Sequence, residues 1–101
     1  MRVRILGQYY ELRFCSYLGQ KDGKPYHGWC DNPCKSNKEI KLLSGERGKE
    51  LLDSAIHEFT HASKWGMSEE FVTEYANDLT EFLLTPGLWE RITDGKDGKP
   101  R

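Results

Sequence analysis

The hydrophobic period of the chain changes between Leu43 and Gly48, and that change narrows the available folds more than any other feature. Upstream of Ser44-Gly45, apolar residues alternate with polar ones. Val3 and Ile5 share one face of a run over residues 2–6, and Tyr10, Leu12 and Phe14 share one face of a run over residues 9–17. Successive side chains of a strand point to opposite faces, so this spacing predicts two half-buried strands, with Gly7-Gln8 as the tight turn between them. A third short strand is expected over residues 26–31 and a fourth over residues 39–43, where Ile40 and Leu42 alternate with charge. Downstream, on a wheel of about 100° per residue, Leu51, Leu52, Ala55, Ile56, Phe59 and Ala62 fill one continuous arc, which predicts a helix from about residue 48 to 65 buried on a broad face. Gly66 breaks it. Ser68 is placed to cap a second helix, with Val72, Tyr75, Ala76, Leu79, Phe82 and Leu83 as its apolar stripe, ending before Pro86-Gly87. Strands gathered ahead of helices predict an α+β domain: an antiparallel sheet of about four strands, covered on one face by both helices.

A chain of 101 residues supports one modest core. Residues 1–92 read as a single domain and residues 93–101 as a flexible tail without apolar side chains. The tail repeats the Lys-Asp-Gly-Lys-Pro of residues 21–25, and both copies are turn chemistry, so residues 18–25 are expected to be an exposed link. Fifteen basic residues oppose 16 acidic ones, which leaves no net field to attract a polyanion, and nucleic acid is not expected as a partner despite Arg2, Arg4 and Arg13. No run approaches the roughly 20 apolar residues of a membrane span, and the N-terminus lacks a signal peptide's apolar stretch, so the expected compartment is the cytoplasm. The odd cysteine count (Cys15, Cys30 and Cys34) leaves an unpaired thiol in any monomer and suits a reducing environment.

Within the predicted first helix, His57-Glu58-Phe59-Thr60-His61 is an HExxH motif. Histidines four apart sit one turn above each other and can hold one ion with both imidazoles. Glu58, about 100° further round, is within reach of a water in the ion's open position, the place of a general base. The helix is inferred from apolar periodicity alone, so the motif and its required context agree independently. A catalytic zinc ion needs a third protein ligand, and an acid on the next helix can supply it because Gly66 lets the chain double back. Glu69, three and seven residues before Val72 and Ala76, begins the inward stripe and is the preferred candidate, whereas Glu70 and Glu74 point more outward. Glu69 and Glu70 could instead simply complement the helix dipole.

The stretch HEFTHASKWGMSEEFVTEYANDLTEFL resembles a family of small bacterial and phage metallopeptidase-like proteins, in which an HExxHA motif is followed shortly by an S-E-E helix. The resemblance covers most of the chain, including the Arg-rich first strand and the GWCDNP and KEIKL segments. More distantly the chain is similar to gluzincins and to compact SprT-like and repressor-cleaving peptidases. That similarity implies a minimal zincin-like fold, with Zn2+ held by His57, His61 and a downstream residue, and with Glu58 catalytic. The E-x-x-A pattern of the compact peptidases appears here only as Glu69 to Val72, which keeps Glu70 and Glu74 open as ligands. It also implies that the strand over residues 39–43 aligns an extended peptide by backbone pairing.

The function expected is zinc-dependent hydrolysis of a peptide or protein substrate, with Glu58 deprotonating the zinc water; His27, Tyr26 and Tyr75 are the candidates for steadying the oxyanion. The alternative is a zinc-binding regulatory or protein-interaction module with little turnover. Cys15, Cys30, Cys34 and His27 could form a second zinc site, but the C-x3-C spacing is loose and free thiols are the simpler expectation. Trp29, Trp65 and Trp89 are expected to pack, with Trp65 able to wall the cleft.

Overall fold

A computed structural model describes residues 1–94, so all but the first two residues of the expected tail lie outside the described residues. The alternating runs form a hairpin of β1 (Arg2–Ile5) and β2 (Gln8–Cys15), with Val3 opposite Tyr10 and Ile5 opposite Gln8. Its turn is Leu6-Gly7, one residue earlier than the spacing suggested. Both turn residues have positive φ, 49° and 80°, the two-residue geometry whose twist matches that of paired strands. The polar link is itself structured: β3 (Gln20–Lys21) and β4 (Lys24–Pro25) pair across Asp22-Gly23 as a second, separate hairpin.

β5 (Gly28–Cys30) and β6 (Glu39–Leu43) complete a four-stranded sheet in the order β1-β2-β6-β5. β5–β6 and β1–β2 are antiparallel, but β2 and β6 run parallel, with Leu12 opposite Ile40 and Phe14 opposite Leu42. The expected all-antiparallel sheet is therefore mostly antiparallel. A parallel neighbour requires a crossover of a dozen or more residues, and the segment between β2 and β6 supplies it by running out to β5 at the sheet edge and turning back. β6 is hydrogen-bonded on both sides, so it has no free edge for a peptide; among the described residues β5 has no strand on its outer side.

Three helices follow: α1 (Gly48–Ser63), α2 (Glu69–Leu83) and a short α3 (Leu88–Thr93) that the apolar pattern did not predict. α1 lies across β5 and β6, whereas α2 packs on α1 rather than beside it on the sheet. The core is Ile5, Tyr10, Cys30, Ile40, Leu42 and Ala62, flanked by Val3, Leu12, Leu51 and Ala55. This stacking splits the broad arc of α1 in two. Ala62 is buried with the sheet residues, Thr60 is buried about 160° round the helix from it, and Phe59 between them is half exposed. With one neighbour, α2 buries only the narrow stripe Val72, Ala76 and Thr80, leaving Tyr75 and Phe82 exposed. Its N-terminus is capped as expected: Phe71 N–H donates to Ser68 Oγ at 3.2 Å. No helix among the described residues is long and apolar enough to cross a membrane.

Candidate metal centre

His57 and His61 project from successive turns of α1 with their rings edge to face, centroids 4.8 Å apart. The cap at Ser68 starts α2 so that Glu69, its first residue, reaches back to both. Glu69 Oε1 lies 2.8 Å from His57 Nε2, Glu69 Oε2 lies 3.0 Å from His61 Nε2, and the two Nε2 atoms are 3.1 Å apart. Glu70 and Glu74 are exposed and outside this group.

A cation fits these donors. Zinc bonds of about 2.0–2.2 Å in tetrahedral array hold ligand atoms about 3.3 Å apart, slightly wider than the observed spacing, so small side-chain movements suffice. Two imidazoles and one carboxylate are the ligand types of a catalytic zinc site with an open fourth position, and two nitrogens argue against the oxygen-only sites of Ca2+ or Mg2+.

Glu58 lies on the sheet side of the histidines. It is 7% exposed. Burial, and secondarily the negative charge of Glu69, push its carboxyl up to about 8. The space it fills is provided by Gly28: a Cβ there would stand 2.7 Å from Glu58 Oε2, 2.8 Å from Cγ and 3.0 Å from Cδ. In the sheet register Gly28 sits opposite the buried Leu42, so any larger residue would occupy the place of the carboxylate. The periodic pattern gave no role to Gly28, although a glycine inside a strand often marks a close approach by another group. Glu46 is the other residue it missed: it follows a turn, yet it is buried, accepting from Ser54 Oγ at 2.8 Å and pairing with His27 Nδ1 at 2.6 Å.

These groups share one open cleft of about 930 Å³, walled by α1, the start of α2 and the segment from Tyr26 to Cys30, with Trp29 and Trp65 on its rim. Tyr26 and His27 line it; Tyr75 lines a separate depression on α2, and Trp89 lines neither. The imagined second zinc site is not assembled. Cys15, Cys30 and Cys34 are free thiols, Cys30 Sγ donates to the Asp31 carbonyl, and His27 turns to Glu46. Burial, with the charges of Glu58 and Asp31, pushes the Cys30 thiol up to about 12, which makes it a poor nucleophile.

No protein-family model matches the chain, no curated protein matches it, and no solved structure matches it.

Proposed function

We propose that the protein is a zinc-dependent peptidase acting on an extended peptide or protein substrate, with His57, His61 and Glu69 holding the metal and Glu58 as general base. The observation that carries the reading is the pairing of a convergent His-His-Glu donor set with a carboxylate held in a fitted space beside it. Zinc bound there would acidify a water, polarise a carbonyl and, by its charge, draw Glu58 back toward the carboxylate. Glu58 takes one proton from the attacking water and passes it to the leaving amine, the work of a base whose proton affinity lies near the working pH.

The outer edge of β5 supports the substrate class. Its residues line the cleft next to Glu58, so an extended chain can add to the sheet there by backbone pairing. This role moves from β6, where the resemblance had put it, to β5. The likeness to small HExxHA metallopeptidase-like proteins supports the same reading. The near balance of 15 basic against 16 acidic residues supports a protein substrate over nucleic acid. Free thiols suit a reducing compartment, and we place the protein in the cytoplasm.

The test is Glu58→Gln. The variant should keep its zinc but lose cleavage of a peptide library by about 100-fold or more, and His57→Ala should lose both. Full cleavage by Glu58→Gln would end the peptidase reading.

A further inference from the structure

We propose that the outer face of α2 is a docking surface for a basic amphipathic helix of a partner protein. On a wheel of about 100° per residue, Glu70, Glu74, Asp78 and Glu81 share one arc of about 80°, and Phe71, Tyr75 and Phe82 share the adjoining arc of about 40°. The buried stripe of Val72, Ala76 and Thr80 lies beyond the aromatic arc. A surface helix ordinarily turns polar side chains outward, yet Phe71, Tyr75 and Phe82 are 47%, 46% and 63% exposed. Phe71 and Tyr75 stack, with centroids 5.7 Å apart and planes 23° from parallel, so two of the rings already form a platform. The acidic and aromatic arcs meet in one depression of about 370 Å³, where Phe71, Tyr75 and Leu79 stand beside Glu74 and Asp78. Glu69 and Thr73, through which α2 lines the metal cleft, lie at least about 120° round the helix from the aromatic arc. The surface is therefore separate from the metal centre, and its role stands or falls apart from the peptidase reading.

The acidic row destabilises the isolated helix. Glu70, Glu74 and Asp78 follow one another at i, i+4 spacing, which sets like charges together. Glu81 sits in the last turn, where the macrodipole favours a cation and α2 has no basic residue. Among the described residues Glu69 faces the histidines and Glu81 pairs with Lys49, whereas Glu70, Glu74 and Asp78 form no ion pair. A partner that lays cations along this row relieves the repulsion, and apolar groups beside those cations cover the rings. From Phe71 to Phe82 the surface runs about 16 Å, or three helical turns. It offers no main-chain groups for strand pairing, because those of α2 are bonded within the helix. A helix satisfies its own backbone in the same way, and it can set an apolar stripe on the aromatic arc with Lys or Arg on the flanking row. A second copy of this chain does not fit, since α2 has five acids and no base, and two such faces repel. An anionic membrane surface is repelled for the same reason.

The probe is a fluorescein-labelled helical peptide of about four turns, with leucine on one face and lysine on the other, titrated by fluorescence anisotropy. Its controls are a shuffled sequence of the same composition and the same pattern with glutamate in place of lysine. The lysine peptide should bind one per chain, equally with and without zinc, and at least about tenfold more tightly than either control. Tyr75→Ser and Phe82→Ser should each weaken it about tenfold. Glu74→Lys combined with Asp78→Lys should weaken it about tenfold or more and make the glutamate peptide the tighter ligand. The melting temperature of this double variant should be no lower than that of wild type, because its lysines stand next to Glu70 and Glu81. Binding that survives these substitutions, or that is no tighter for the lysine peptide than for its controls, would overturn the inference. So would a wild-type dimer that Tyr75→Ser dissociates, or binding to phosphatidylglycerol vesicles that Tyr75→Ser abolishes, since each assigns the face to another occupant.

Discussion

Replacing Gly28 by alanine places a methyl group where the Glu58 side chain lies. The new Cβ would meet Oε2 at 2.7 Å, Cγ at 2.8 Å and Cδ at 3.0 Å, against 3.4–4 Å for ordinary contact. Gly28 does not use the left-handed region of backbone space, so alanine itself is tolerated there and, by restricting the unfolded chain, would contribute about 0.4–1 kcal/mol of stability. The contact decides the outcome. Glu58 is enclosed by α1 and β5 and can yield only by leaving its space, a form of overpacking that costs about 1–3 kcal/mol. In a Glu58→Ala background the obstruction is gone, and Gly28→Ala should become neutral or slightly stabilising. Urea unfolding of the four metal-free proteins therefore should give a coupling of about 1–3 kcal/mol. Gly28→Ala alone should also retain zinc while losing cleavage, because the base is displaced and the ligands are not. Additivity of the two substitutions to within about 0.5 kcal/mol would refute the packing of Glu58 on Gly28.

Glu58 should also leave a mark on the pH dependence of the metal-free protein. Its carboxyl is raised from 4.5 to about 8. Below about 4.5 folded and unfolded states both hold the proton; between there and about 8 only the folded state does, so stability falls as pH rises through that window and levels off above it. The ceiling is about 1.4 kcal/mol per pH unit, and urea unfolding at several pH values should find this slope in wild type and not in Glu58→Gln; equal slopes would contradict it. Thr80 is 1% exposed, and its hydroxyl has no partner among the described residues. Thr80→Val keeps the shape, removes the unpaired group and should raise stability by about 1 kcal/mol, read as a higher melting temperature; a lower one would mean that the hydroxyl is satisfied.

The parts of the fold legible in the sequence are those set by neighbours in the chain. β6 spans the residues its alternation marked, and Ser68 caps α2 because a hydroxyl three residues before an N–H is a local arrangement. The His57-His61-Glu69 cluster was legible in part for the same reason: His57 and His61 are one turn apart on any helix, while Glu69 was preferred from its place on the inward stripe of α2, with Glu70 and Glu74 left open. The parallel pairing of β2 with β6 was not, since it depends on a distant return of the chain that no local period encodes. Neither was the burial of Glu58 and exposure of Phe59, because a helical wheel orders side chains around an axis but does not say that α1 has neighbours on two sides. Gly28 and Glu46 escaped for a related reason. Their importance lies in what α1 brings against them, a carboxylate in one case and Ser54 in the other.

The central claim, that His57, His61 and Glu69 form a zinc site, is tested most directly by titrating the metal-free protein with zinc in competition with a chromophoric chelator. One zinc per chain is predicted, with affinity weakened more than about 100-fold in His57→Ala, His61→Ala and Glu69→Ala and unchanged in Glu70→Ala and Glu74→Ala. A wild-type protein that takes up no stoichiometric zinc, or a Glu69→Ala variant that binds it as tightly as wild type, would contradict the account.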